Sequence, residues 1–93
     1  MSERLAGKHA LITGGNRGIG KAIAEAFASE GCNLTLVGRN KEDLKKAEIE
    51  IHSQYEISVR STICDVINRD CVENMVSEAE ATAPIDILVN NAG

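Results

Sequence analysis

Residues 8–20 place four glycines between a short apolar run and a helix-period pattern, and this feature constrains the chain most. The apolar run Ala10 to Ile12 has the length of a strand, and glycines follow at positions 14, 15, 18 and 20. Glycine lets the backbone approach a ligand closely, and free N–H groups at a helix N-terminus attract negative charge. The segment therefore predicts a phosphate-binding turn that joins a strand to a helix.

The rest of the chain alternates strand-like with helix-like segments. Periodicity predicts strands at Lys8–Thr13, Asn33–Val37, Ile57–Ile63 and Ile85–Val89, and helices at Arg17–Glu30, Lys41–Ser53 and Arg69–Ala81. This alternation predicts an α/β fold, a three-layer Rossmann-type parallel sheet of strand order 3-2-1-4 with helices on both faces. A ligand is then expected at the carboxyl ends of strands one and four.

Apolar residues at helical spacing predict which face of each helix is buried. The expected inner faces are Ile19, Ile23, Ala26 and Phe27 in the first helix, Leu44, Ala47 and Ile51 in the second, and Val72, Met75, Val76 and Ala79 in the third. Charges such as Lys45, Lys46, Glu48 and Glu50 are expected on a solvated face of the second helix.

Composition restricts the class of partner. The net charge is −4 and aromatic residues make up 2% of the 93 residues, which argues against a nucleic-acid or anionic-membrane surface. No apolar run approaches the length of a membrane span, and residues 1–5 lack the apolar core of a cleaved signal. We therefore expect a cytoplasmic protein with a small-molecule partner.

Cysteine and acidic residues give no sign of a structural cross-link or a metal site. Cys32, Cys64 and Cys71 are odd in number and lack metal-site spacing, so small, partly buried thiols are expected rather than a disulfide framework or a zinc site. Asp65, Asn68 and Asp70 offer oxygens without the glycine and glutamate of a calcium loop. His9 and His52 are expected to be a strand-start residue and a helix-surface residue.

Three interpretations of the glycine turn compete. Gly15, Gly20 and Lys21 have the spacing of a nucleoside-triphosphate loop, but Ala22 replaces the hydroxyl residue that would hold magnesium. A turn that only packs a helix against a strand is the second alternative. The third, a dinucleotide site, predicts a side chain after strand two that contacts the adenosine ribose.

The residues after strand two favour NADP(H) over NAD(H). An NAD site needs a carboxylate there, whereas this chain has Gly38 followed by Arg39, and Arg17 lies within the glycine turn. A guanidinium pairs with a 2′-phosphate in bidentate fashion, and a carboxylate would repel it. The alternative is that Arg17 and Arg39 are ordinary solvated side chains.

Three motifs in order resemble the short-chain dehydrogenase/reductases. They are Thr13-Gly14-x-x-x-Gly18-Ile19-Gly20, Asp65-Val66 after strand three, and Asn90-Asn91-Ala92-Gly93 after strand four. The resemblance covers essentially the whole chain, and within the family the chain looks most similar to 3-oxoacyl-ACP reductases.

The resemblance implies cofactor-binding roles for the matching positions. The turn would contact the pyrophosphate and the ribose phosphate, Arg39 the 2′-phosphate, and the motif after strand three the adenine, while the asparagines after strand four would line the cofactor. The implied residues are Gly14, Asn16, Arg17, Gly18, Ile19, Gly20, Arg39, Asp65, Val66, Asn90 and Asn91. Asp65 would accept from the adenine amino group, or would alternatively be a turn carboxylate that caps local N–H groups. Asn90 and Asn91 would also bridge strands, and the role of Asn90 would be as much structural as functional.

The resemblance further implies an NADP(H)-dependent oxidoreductase that reduces carbonyls or oxidises alcohols. The family's Tyr-x-x-x-Lys pair, with its Ser and Asn, would lie beyond Gly93, because the only tyrosine is Tyr55 and position 59 is Val. Residues 1–93 would thus be the cofactor-binding N-terminal part of a single domain, without a catalytic residue and inactive alone. The intact protein would be a homo-oligomer. The alternative is a truncated, non-catalytic module for nucleotide binding or interaction.

Overall fold

Four parallel strands alternate with three helices along the residues that the structure, a computed structural model, describes: 4–14, 18–65 and 68–91. The elements are β1 (His9–Thr13), α1 (Gly18–Ser29), β2 (Asn33–Gly38), α2 (Lys41–Gln54), β3 (Val59–Ile63), α3 (Arg69–Thr82) and β4 (Ile87–Asn90).

The sheet has the order β3-β2-β1-β4, and all three strand pairs are parallel. The register pairs Thr13 of β1 with Val37 of β2 and with Asn90 of β4. The predicted order 3-2-1-4 is therefore confirmed, and the carboxyl ends of β1 and β4 meet at one edge.

Two apolar clusters cover the two faces of the sheet. Ala10 and Ile12 of β1 point to the cluster that α1 and α2 complete, and Leu11 points to the cluster that α3 completes. All five residues of β1 are buried, as expected for a central parallel strand. The prediction of helices on both faces is confirmed.

The predicted inner face of α1 was wrong in part. The side chain of Ile19 is 72% exposed and Ala26 is exposed, whereas Gly20, Ala24 and Ala28 are buried. Small residues let α1 approach the sheet closely, so the helix turns its small-residue face inward. Ile23 and Phe27 pack only partly against the core. The inner faces of α2 and α3 are confirmed.

Two strands begin later than predicted. The Ile57 N–H donates to the Tyr55 carbonyl, which places Ile57 in the turn before β3. The Asp86 N–H donates to the His9 carbonyl just before β4 begins at Ile87. Asn68 caps α3, its side chain accepting from the Cys71 N–H at 3.1 Å.

His9 does more than start a strand. Its ring is buried, with Nδ1 at 3.0 Å from the Ala83 carbonyl and Nε2 at 2.7 Å from the Thr35 hydroxyl. Because a carbonyl only accepts, Nδ1 donates and Nε2 accepts from Thr35 in the neutral ring. The Asp86 carboxylate accepts from the His9 N–H at 2.9 Å. His9 thereby ties β1 to β2 and to the segment before β4.

We expect His9→Leu to lower the free energy of unfolding by about 1–2 kcal/mol, because it leaves the Ala83 carbonyl and the Thr35 hydroxyl without their partner. The control is His52→Leu on the exposed surface of α2, where the ring Nδ1 lies 3.1 Å from the Ile57 carbonyl, so the loss of this single hydrogen bond should cost about 0.5–1 kcal/mol. Urea unfolding of both variants measures the difference. Equal losses in the two variants would refute the role of His9.

The helices within the described residues are too short or too polar to cross a bilayer. The same residues bring together no group of three or more His, Cys, Asp or Glu side chains able to hold a metal ion.

Candidate functional site

The predicted site residues after β1 and β4 meet at the carboxyl edge of the sheet. Thr13 and Asn90 are register partners, so Gly14 and Asn91 each follow directly after the end of a strand. Three other site residues, Asn16, Arg17 and Val66, lie outside the described residues.

The Thr13 hydroxyl joins the ends of β1 and β4. As a donor, the hydroxyl faces the Asn90 Oδ1 at 3.1 Å and the Val89 carbonyl oxygen at 3.4 Å. As an acceptor, it receives the hydrogen bond of the Asn91 N–H at 2.9 Å. Thr13 is only 6% exposed. The predicted bridge between strands at Asn90 is present. The sequence analysis gave Thr13 no role of its own beyond its place in the glycine motif. A hydroxyl residue at the last position of a central strand is the feature that could have indicated its role.

Gly14 and Gly18 give the turn its shape. Their φ angles are +68° and +61°, in the left-handed region that side chains disfavour. The Gly14 N–H donates to the Val37 carbonyl at 2.7 Å, which anchors the start of the turn to β2. A Cβ at Gly18 would meet none of the described residues outside its own turn of chain within 4 Å.

Gly20 allows the closest approach in the site. It is buried in the first turn of α1, and a Cβ there would overlap the Gly14 carbonyl and lie 2.7 Å from the Asn91 Nδ2. Real Cβ atoms do not approach backbone so closely. Because Gly20 has no side chain, the N-terminus of α1 can lie directly against the ends of β1 and β4.

Arg39 and Asp65 lie along the same edge of the sheet. Arg39 follows β2 directly, and the Cys64 N–H donates to the Gly38 carbonyl at 2.8 Å, which brings the end of β3 beside the end of β2. Both Arg39 and Asp65 are exposed. Ile19 is also exposed at the start of α1. Those predicted positions that the structure describes therefore lie along one edge of the sheet.

Lys21 contacts α2 rather than the turn. Its ammonium forms an ion pair with the Glu50 carboxylate, and this hydrogen bond raises the pKa of Lys21 and lowers the pKa of Glu50. A nucleoside-triphosphate loop would instead direct this lysine to phosphate. The expected solvated face of α2 is confirmed for Lys45 and Lys46, which are exposed. It was wrong in part for the carboxylates, since Glu50 pairs with Lys21 and Glu48 accepts from the Ser61 hydroxyl at 2.8 Å.

The expectation of unpaired thiols was wrong for two of the three cysteines. Cys64 after β3 and Cys71 in the first turn of α3 form a disulfide across a separation of seven residues, with their Cα atoms 5.9 Å apart. Their pairing depends on where α3 begins relative to the end of β3, which cysteine counting does not reveal. Cys32 is a buried free thiol, and burial raises its pKa.

The arrangement fits a dinucleotide. A parallel sheet presents the carboxyl ends of two neighbouring strands, and the N-terminus of α1 lies against them through Gly20. The first N–H groups of a helix lack intrahelical partners and bind phosphate oxygens. A separate shallow groove runs along β3, and its lining includes Lys45, Glu48, Arg60 and Glu78.

Comparisons with known proteins give the family. Residues 8–93 match the family model described as short chain dehydrogenase. The chain is 43% identical over 94 residues to 3-ketodihydrosphingosine reductase from Bos taurus, which covers 96% of this chain and 28% of that protein. It is 36% identical over 94 residues to the 3-oxoacyl-acyl-carrier-protein reductase FabG from Aquifex aeolicus, covering 100% of this chain and 38% of the relative.

A solved structure shows the same fold. L-sorbose reductase from Gluconobacter frateurii, complexed with NADPH and L-sorbose, superimposes with a TM-score of 0.93 at 38% identity, over 100% of this chain and 36% of that one. The chain thus spans between 28% and 38% of the length of these three relatives. It belongs to the short chain dehydrogenase family of oxidoreductases.

Proposed function

We propose that this chain binds NADP(H) and supplies the cofactor-binding part of an oxidoreductase that interconverts carbonyls and alcohols. The observation that carries the proposal is the contact of α1 with the ends of β1 and β4, which depends on Gly20. The L-sorbose reductase that shares this fold is complexed with NADPH, which supports the choice of cofactor.

The residues of this chain would bind and orient the cofactor. Backbone N–H groups of the turn and of the first turn of α1 would hold the pyrophosphate. The Asp65 carboxylate would accept from the adenine amino group, and Asn91, held by Thr13, would limit where the nicotinamide side can lie. When bound, the nicotinamide supplies or accepts the hydride.

The proton in this reaction would come from outside residues 1–93. Tyr55 lies at the C-terminal end of α2 and packs partly against the α1–α2 side of the core, away from the carboxyl edge. We therefore expect no turnover of a ketone with NADPH by the isolated chain. Clear NADPH oxidation by the isolated chain would refute this assignment.

We further propose a 3-oxoacyl-thioester as the type of substrate of the intact protein. FabG is among the relatives, and reductases named for other substrates are equally similar, so the similarity alone does not choose between them. A homo-oligomeric state and a cytoplasmic location of the intact protein also stay proposals. Assays of a protein that contains this chain with an acyl-thioester ketone and with L-sorbose would test the substrate.

Arg39 is expected to set the preference for NADP(H). Replacing it in Arg39→Asp should weaken NADPH binding about tenfold relative to NADH, since a guanidinium is lost and a repelling carboxylate is gained beside the 2′-phosphate. Titration of both cofactors, followed by nicotinamide fluorescence, measures the ratio of the two dissociation constants.

The matched control is Lys41→Asp, which makes the same change of charge at an exposed position two residues away. It should leave the NADPH-to-NADH ratio nearly unchanged. A ratio that shifts equally in both variants would show a general charge effect and contradict a specific role of Arg39.

A further inference from the structure

Two cysteines close the connection between β3 and α3. Cys64 is 2% exposed and packs with Leu11, Val37 and Met75 on the α3 side of the sheet. Cys71 is half-buried in the first turn of α3, and the two residues form a disulfide. The bond thus joins the carboxyl end of the sheet to the N-terminus of a helix.

Each cysteine is positioned independently of the bond. The Cys64 N–H donates to the Gly38 carbonyl at 2.8 Å, and the Cys71 N–H donates to the Asn68 side chain at 3.1 Å. The Cα separation of 5.9 Å lies within the range that disulfides bridge without backbone movement. The backbone therefore holds both thiols ready to pair.

The same connection carries a predicted cofactor residue. Asp65 follows Cys64 directly, and the Asn68 N–H donates to the Asp65 carbonyl at 2.9 Å. A covalent bond between Cys64 and Cys71 restrains the backbone on both sides of this turn. Restraint of a binding segment in one conformation lowers the entropy lost on binding.

We propose that Cys64 and Cys71 form a reversible redox cross-link that fixes the β3–α3 connection and thereby strengthens NADPH binding. The cross-link itself is independent of the proposed function, whereas its effect on NADPH rests on that function. Cys32 takes no part, because it is buried on the opposite, α1–α2 side of the sheet.

A small-molecule disulfide, such as oxidised glutathione, is the oxidant. The Cys71 thiolate, more exposed than Cys64, attacks one sulfur of the oxidant and releases one thiolate, which leaves a mixed disulfide on Cys71. The Cys64 thiolate then attacks the Cys71 sulfur and releases the second thiolate. Two cysteine thiols are oxidised, the oxidant is reduced to two small thiols, and these take up the two protons. Excess small thiol reverses both steps.

Counting thiols tests the cross-link. The reduced chain should show three thiols in denaturant, and the chain treated with oxidised glutathione should show one, as an uncrosslinked monomer on a non-reducing gel. Cys71→Ser should show two thiols before oxidation and no intramolecular bond after it. The control Cys32→Ala should fall from two thiols to none. Three remaining thiols, or a disulfide-linked dimer, would overturn the proposal.

Melting and NADPH titration test the consequence. The oxidised chain should melt roughly 5–15 °C above the reduced chain and bind NADPH about three- to tenfold more tightly. Cys71→Ser should show neither difference between oxidised and reduced buffer. Equal NADPH affinity of the two forms would overturn the coupling. If neither form binds NADPH, the proposed function is wrong. Thiol counts and melting temperatures would still show whether Cys64 and Cys71 form the cross-link.

Discussion

Gly20→Ala is expected to lower the free energy of unfolding by about 2–3 kcal/mol, because the added methyl overlaps backbone. A loss of stability would be informative, because alanine normally stabilises a helix by about 1 kcal/mol relative to glycine. Here the new Cβ would overlap the Gly14 carbonyl and crowd the Asn91 side chain. α1 would have to move away from the ends of β1 and β4, and NADPH binding would fall with it.

The matched control is Gly7→Ala. Gly7 has a φ of +81° with nothing within 4 Å of a Cβ and lies outside the site, so the substitution introduces backbone strain but no overlap. It should cost about 1–2 kcal/mol and leave NADPH affinity nearly unchanged. Urea unfolding and NADPH titration compare the two variants. A Gly20→Ala chain as stable as the parent would contradict the close approach of α1.

Thr13→Val is expected to lower the free energy of unfolding by about 2 kcal/mol, because it removes the hydroxyl and its hydrogen bonds. Valine has nearly the same shape as threonine, so the packing should stay the same. The Asn91 N–H would lose its acceptor and the Asn90 Oδ1 its donor. The end of β4 would then be held less firmly against β1. We expect NADPH affinity to fall about tenfold as this part of the site loses its fixed geometry.

Thr13→Ser separates the hydroxyl from the methyl group. It keeps the group that donates to Asn90 and accepts from Asn91, so most of the stability and nearly all of the NADPH affinity should be retained. Urea unfolding and titration again provide the measurements. If Thr13→Ser and Thr13→Val lose affinity equally, the hydroxyl is not what orders the site.

The architecture could be predicted from two features of the sequence. Strands that alternate with helices form a parallel sheet with right-handed crossovers, and the glycine turn after β1 indicates the dinucleotide-binding fold, whose strand order is the observed β3-β2-β1-β4. Helix faces were predicted where large apolar residues define them, as Leu44 and Ile51 do in α2. α1 was different, because its inward face consists of Gly20, Ala24 and Ala28, which hydropathy ranks below the exposed Ile19.

The details of the site depend on contacts between residues far apart in sequence. His9 meets Thr35 and Ala83, Lys21 meets Glu50, and the Thr13 hydroxyl meets residues 90 and 91. No local pattern encodes such pairs. The Cys64–Cys71 bond spans only seven residues, yet it depends on the direction in which α3 leaves β3. The sequence predicted which residues gather at the edge, but not what holds them there.

Amide chemical shifts during an NADPH titration of the isotope-labelled chain show whether the cofactor binds at the carboxyl ends of β1 and β4. We expect the largest changes on Gly14, Gly18, Gly20 and Asn91, with smaller changes at Asp65 and none along the groove at β3. We also expect these changes to be lost in Gly20→Ala. Changes centred on the β3 groove, or no saturable change at the glycine turn, would contradict binding at these strand ends.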